Sequence, residues 1–173
     1  LTEVSHRVNS ILDLEKLLPT IVKLIRSRFN FRYVHLFLNE PERGLTALHA
    51  GDGPTVDPLE PGSFALNFGQ GMVGWVAAHG ELLLANDVTQ EPRYLPHSTL
   101  PDTRAEAAIP IRSSTRLIGV LDVQSEKLNA FDPSDIATLQ TLASQVAIAI
   151  ENAQLYGELR EQAQRDSLTQ VYN

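Results

Sequence analysis

The chain is predicted to be an α+β domain built on an antiparallel sheet, and three observations predict it. Short runs of period-two alternation come in pairs joined by hairpin-length turns: 31–39 with 45–50, and 105–111 with 117–124. Segments with helical spacing stand at the two ends of the chain rather than between the strands of a pair. Glycine and proline punctuate the borders, most densely over 51–62, which holds three of each.

Taken in order, Val4, Val8 and Ile11 have helical spacing, so 1–12 reads as the tail of an incoming helix. Asp13 is placed to cap a second helix, with Glu15 in its first turn and Leu14, Leu17, Leu18, Ile21, Ile25 and Phe29 as an apolar stripe. Pro19 has no N–H to donate, so a bend or restart is expected there. FRYVHLFLN is a strand, EPERG turns the chain, and LTALHA returns it. Phe64, Leu66 and Phe68 suggest a short strand. Met72, Val73, Val76 and Ala77 suggest a short helix ending at Gly80, and 82–84 a further strand. The polar stretch 86–103 carries three prolines and reads as a lid, because unstructured loops of that length are commonly functional. Asp132 caps a final helix with Pro133 first and Asp135 in its first turn, running to about Arg165. Ile136, Leu139, Ala143, Val146 and Ile150 form the stripe expected to lie on the sheet. Ile148, Leu155 and Leu159 begin a second stripe, expected to form a parallel homodimer seam that the 1–12 helix also joins.

Composition excludes several classes of function. A formal charge of −7 without clustered Lys or Arg argues against nucleic acid and against contact with an anionic membrane. No apolar run approaches the ~20 residues of a membrane span, and no signal-peptide pattern is present, so a cytoplasmic location is expected. The absence of cysteine removes disulfides, thiolate metal sites and cysteine nucleophiles. The first residue is Leu rather than Met, and the chain reads as a piece of a longer protein.

Five segments carry a resemblance: GQGMVGWVAAHG at 69–80, LLLANDV at 82–88, AAIPI at 107–111, LIGVLDVQS at 117–125 and FDPSD at 131–135 before the long helix. In this order they resemble the GAF family of small-molecule sensor domains, over roughly 13–156. The resemblance implies an antiparallel sheet with helices packed on one face and a ligand pocket covered by a helix and loop on the other. It also implies binding or sensing rather than catalysis. RDSLTQVYN at 165–173 resembles the opening of a GGDEF, or diguanylate cyclase, domain. Asp166, Leu168, Thr169 and Asn173 match, while Gln170 and Val171 depart from the usual Gly and Leu. The organisation so implied is an incoming linker helix at 1–12, a GAF domain at 13–156, and the end of a signalling helix with the start of a truncated GGDEF domain at 157–173. The parent would be a bacterial signalling protein of the diguanylate cyclase type, acting in cyclic di-GMP signalling. The segment itself holds none of that enzyme's catalytic sequence.

Strand alternation sorts the residues within this implied fold. Val34, Leu36 and Leu38 fall on the helix-packed face, leaving Tyr33, His35 and Phe37 for the pocket. Arg104, Glu106 and Ala108 share a face, as do Val120, Asp122 and Gln124. The lid side adds Trp75, Asp87, Tyr94 and His97. The expected ligand-binding set is therefore Tyr33, His35, Phe37, Trp75, Asp87, Tyr94, Arg104, Glu106 and Asp122. Aromatic walls with a few polar groups suit a small organic molecule, and nothing in the sequence names a cofactor. The alternative is that Trp75 and Phe37 fill a core, Glu106 pairs with Arg104 or a turn amide, and the domain dimerises without a ligand. The NKFDE motif of cyclic-nucleotide-binding GAF domains is absent, and the glycines at 69 and 71 are not followed by a P-loop Lys-Ser/Thr. None of the five histidines has metal-type spacing. A hairpin symmetric about Glu42 would set His35 opposite His49, as a metal or pH-sensing pair or as two packed rings. Glu106 and Asp122 are possible paired carboxylates, with no nucleophile, orienting group or oxyanion site around them. The GAF-like free methionine sulfoxide reductases rely on cysteines, and this chain has none.

Overall fold

The structure, a computed structural model, describes residues 14–54 and 60–172. The helix expected over 1–12 and the Asp13 cap lie outside the described residues.

Helix α1, Leu14–Phe29, buries Leu18, Val22 and Ile25 along one face. Glu15 in its first turn and Arg26 and Arg28 in its last complement the helix dipole. The bend expected at Pro19 does not occur: the helix runs through it. Proline withholds a single N–H there, and the buried Leu18 and Val22 on either side keep the face on the sheet.

Strands β1 (Tyr33–Glu40) and β2 (Leu45–Asp52) are joined by a 3-10 turn, Pro41–Arg43, and Gly44 at φ 63°. Then follow β3 (Ala65–Asn67), helix α2 (Gly71–His79), β4 (Leu83–Ala85), β5 (Ala105–Arg112), β6 (Leu117–Ser125) and helix α3 (Pro133–Tyr172). The six strands form one sheet in the order β3-β2-β1-β6-β5-β4, and every neighbouring pair is antiparallel. The expected α+β class and its hairpins are therefore observed.

Alternation along the central strands gives the sheet two unlike faces. Val34, Leu36, Leu121, Val123 and Ile109 pack under α1 and α3 in the larger core. Phe37, Leu48, Val120 and Ala108 face the other way and pack beneath α2.

The β1–β2 register differs from a hairpin centred on Glu42. The turn occupies 41–44, so Glu40 pairs with Leu45, and a bulge between Leu36 and Phe37 shifts the register again. His35 faces Gly51, while His49 is the extra residue of the bulge and is exposed. The two imidazoles do not meet across the hairpin.

Helix α3 starts in a reciprocal cap. The Asp135 N–H donates to Asp132 Oδ1 at 2.7 Å and the Asp132 N–H donates to Asp135 Oδ2 at 3.0 Å. It continues beyond the expected end at Arg165 to Tyr172, and its 40 residues span about 60 Å at ~1.5 Å each. Leu139, Ala143, Val146 and Ile150 are buried on the sheet, whereas Ile148, Leu155 and Leu159 are 59%, 57% and 57% exposed.

Candidate functional site

On the α2 side, the sheet, the start of α2 and the 86–103 lid enclose a cavity. Its empty space is about 460 Å³ with the mouth included, of which about 50 Å³ can hold the centre of a water-sized sphere. That interior suits a few waters or a small ligand group.

The floor is polar because two adjacent cross-strand rows are polar. His35 lies between Gly51 on β2 and Asp122 on β6. Tyr33 faces Gln124, which in turn faces Glu106 on β5. Gly51 makes space for the imidazole: a Cβ there would stand 2.6 Å from His35 Cδ2. A relay of hydrogen bonds holds the floor. The Thr103 hydroxyl donates to Gln124 Oε1 at 2.5 Å, and Gln124 Nε2 donates to Asp122 Oδ2 at 2.7 Å. Glu106 lies on the diagonal from Asp122 across the β5–β6 ladder, and both line the cavity. Asp122 Oδ1 is buried and has no partner, and so is the Tyr33 hydroxyl.

Burial sets the protonation of this floor. Desolvation, reinforced by the neighbouring Asp122 carboxylate, pushes Glu106 well above the usual carboxyl range. Desolvation lowers His35 against the opposing pull of Asp122, so its ring is held neutral. Burial and the nearby Glu106 raise the Tyr94 phenol.

Rings continue from the floor into the lid: Tyr33 on His35, then Phe37, Phe64 and finally His97, whose ring meets Phe64 edge-on at 5.1 Å. His97 is oriented by Thr99, whose N–H donates to Nδ1 at 3.2 Å. Leu95 closes over the start of α2, where a Cβ on Gly71 would come within 3.1 Å of Leu95 Cβ. Leu66, Met72, Val73 and Leu100 complete the apolar wall.

The cavity thus gathers His35, Phe37, Glu106 and Asp122 from the expected set. Tyr33 lies buried in the floor rows, and Tyr94 packs at the margin, half-buried. Three expected residues lie outside the cavity lining. Trp75 is on the outer side of α2, stacked on His79 at 4.3 Å and covered by the Arg93 guanidinium at 4.6 Å. Asp87 turns back to cap the 3-10 turn Val88–Gln90, accepting from the Thr89 N–H at 3.0 Å and its hydroxyl at 2.7 Å. Arg104 has the parity of Glu106 but precedes β5, where no layer covers the sheet, and its side chain is exposed. It does not pair with Glu106. Phe64, Leu66, Met72, Leu95 and Leu100 were not anticipated as lining. The alternation of Phe64 with Leu66 was the available signal, whereas nothing local marks Leu95 as the partner of Gly71. Among the described residues, no group of three or more His, Asp or Glu is placed to hold a metal.

The fold and pocket can be compared with known proteins. The family model for the GAF domain matches residues 11–151. The chain belongs to the GAF domain family. GAF domain-containing protein A of Dictyostelium discoideum is 30% identical over 118 residues, covering 68% of this chain and 69% of that protein. The GAF domain of a phosphoenolpyruvate-protein phosphotransferase from Coxiella burnetii superposes with a TM-score of 0.77 at 25% identity, covering 91% of this chain and 94% of that one. The free methionine-R-sulfoxide reductase of Neisseria meningitidis, solved with its substrate, gives a TM-score of 0.73 at 26% identity, covering 84% and 82%. The GAF family match ends at residue 151, so it does not extend over the outer part of α3. Among the described residues of this GAF domain, no helix is long and apolar enough to cross a membrane.

Proposed function

We propose that this GAF domain is a sensory module that binds a small organic molecule in the cavity between the sheet and the lid, without transforming it. The observation that carries the reading is the cavity floor: Glu106, Asp122, Gln124 and His35 are at most 6% exposed, yet Asp122 Oδ1 has no partner. Polar groups buried without full satisfaction cost stability, and their retention fits a role in meeting a ligand. The likeness to a substrate-bound free methionine-R-sulfoxide reductase supports a ligand of about amino-acid size. With no cysteine in the chain, thiol-based reduction is disfavoured, and the role left is recognition.

The bound state is read out through α3. Its exposed Ile148, Leu155 and Leu159 form the seam of a parallel homodimer, and the helix leads toward an output domain. The resemblance of 165–173 to a GGDEF opening makes a diguanylate cyclase the favoured output, in a bacterial cytoplasmic signalling protein. A ligand acts in this scheme only through different affinities for two helix arrangements.

Native mass spectrometry of the purified protein, followed by a thermal-shift screen of amino acids and nucleotides, tests the reading. Retained mass, or a Tm that rises with ligand concentration as binding adds RT ln(1 + [L]/Kd) of stability, is expected. No bound mass and no stabilising compound would favour a dimerisation module without a ligand.

A further inference from the structure

We infer that the cavity floor is a cation site, in which the ammonium group of a small ligand replaces the proton held between Glu106 and Asp122. The inference rests on the ligand-binding reading above and specifies the chemical class of the ligand.

The geometry carries it in three steps. First, Glu106 and Asp122 are buried to 5% and 2% exposure, sit on a diagonal across the β5–β6 ladder and line the same cavity. Two adjacent buried carboxylates cannot both be ionised without a counter-charge. In the empty protein that counter-charge is a proton, and the elevated affinity of Glu106 for protons agrees with this. Second, no side chain lining the cavity is Lys or Arg. His35 does not substitute for them, because burial lowers its proton affinity despite the neighbouring Asp122. An anionic ligand would add charge to a floor of carboxyl groups, with no Lys or Arg in the wall to meet it. Third, exchanging the proton for an ammonium group leaves the net charge of the floor unchanged, and the ammonium supplies N–H donors that the unpartnered Asp122 Oδ1 lacks. The titratable groups facing the pair are Tyr33 and His35 from β1, Tyr94 and His97 from the lid, and Asp52 at the end of β2 through His35. Burial holds the His35 ring beside the pair neutral, and no Lys or Arg faces the floor from the cavity lining. The wall above the floor is apolar, through Phe37, Phe64, Leu66 and Met72, so the ligand carries a short apolar body behind its ammonium head.

The exchange predicts proton release on binding. While the pair is protonated, affinity rises tenfold per pH unit, and it levels off once Glu106 loses its proton unaided.

The test compares n-butylammonium, butan-1-ol and butyrate, isosteric probes of three charges, by amide chemical-shift titration of the intact chain. It is run on the parent, Glu106→Gln and Asp122→Asn between pH 6 and pH 9. Butylammonium is expected to perturb the amides of 105–108 and 120–124 and to bind at least tenfold more tightly than either other probe. Asp122→Asn should remove that preference. Glu106→Gln, which keeps the side chain's size but has no titratable proton, should flatten the pH dependence. Calorimetry in buffers of different ionisation enthalpy should report protons released by the parent and none by Glu106→Gln. If butan-1-ol or butyrate enters the cavity as tightly as butylammonium, the cation site is wrong and the pocket stands. If the butylammonium preference survives Asp122→Asn, the floor is not its seat. If no probe of any charge perturbs the cavity amides, the pocket reading falls and the cation site with it.

Discussion

Asn86 and Phe131 are joined by two hydrogen bonds: Asn86 Nδ2 donates to the Phe131 carbonyl at 2.9 Å, and the Phe131 N–H donates to Asn86 Oδ1 at 3.0 Å. The Asn129 N–H adds a third bond, to the Asn86 carbonyl, at 2.9 Å. Asn86 is the first residue of the lid, and Phe131 directly precedes the Asp132 cap of α3. Phe131 is itself buried and packs against Phe31. The lid and the start of the long helix are thus tied at one point.

Asn86→Ala removes the two side-chain bonds and leaves two backbone groups partly unsatisfied. The expected cost is about 1–3 kcal/mol, which for a domain of this size is roughly 2–4 °C in Tm per kcal/mol. Hydrogen exchange should accelerate over 129–136 more than over the central strands. Unchanged protection at the start of α3 would show that the clasp does not hold it.

The exposed stripe on α3 gives a prediction about assembly. Leu155→Asp combined with Leu159→Asp should yield a folded monomer, because both side chains lie beyond the sheet and contribute little to the core. Sedimentation of the parent decides first. A parent that stays monomeric at high micromolar concentration removes the seam.

Two buried groups work against each other in the pH dependence of stability. Glu106 has a raised proton affinity in the folded state, so its contribution is fully present below about pH 4.5 and is lost as pH rises through its folded value. His35 is lowered, so its contribution is present above about pH 6.5 and is lost as pH falls through its folded value. Glu106→Gln should therefore raise Tm at pH 8 relative to the parent and flatten the alkaline decline. Each 1 kcal/mol gained is worth roughly 2–4 °C. A Tm difference between the two proteins that does not change from pH 4 to pH 8 would contradict the assignment.

Gly51 and His35 should behave as a coupled pair. Gly51→Ala places a methyl group 2.6 Å from the imidazole and should cost about 1–3 kcal/mol through forced displacement. In a double-mutant cycle, His35→Ala should relieve most of that cost. Additive single effects would mean that the strand, rather than the ring, resists the methyl group.

The lid is fastened to α2 on the outside, by Arg93 over Trp75 with Glu91 gripping the guanidinium at 2.6 Å. Arg93→Ala should speed hydrogen exchange over 89–100 without changing Tm by more than about 1 °C, since exposed contacts of this kind contribute little to global stability. Exchange over 89–100 that is slow and unaffected in ligand-free protein would contradict a fastening that controls the lid.

Much of this architecture is legible from alternation and turn chemistry. The two faces of β1 separate cleanly because Val34, Leu36 and Leu38 alternate with Tyr33, His35 and Phe37, and each face is covered. The α3 cap is legible because Asp132, Pro133 and Asp135 act locally. Features fixed by distant partners are not. The bulge at His49 belongs to the pairing of β2 with β1, which neither strand announces alone. The outward turn of Trp75 depends on which side of α2 meets the sheet, and that helix is apolar nearly all round. Arg104 follows the parity of its strand, but parity assigns a face without saying whether anything covers it there. Glu106 and Asp122 are two residues apart in register across β5 and β6, and their juxtaposition is visible only once the strands are paired.

The sheet stands as a partition, with the packing that roots α3 on one side and the cavity wall on the other. Replacing Phe64, Leu66 or Leu95 therefore alters what the cavity admits without touching a residue of the larger core. Such a layout lets the cavity wall change while the seat of α3 on the sheet stays as it is. For the same reason, grafting a cavity wall from one relative to another is a more promising route to a new binding preference than exchanging whole domains, because the packing of α1 and α3 on the far face is left as it was.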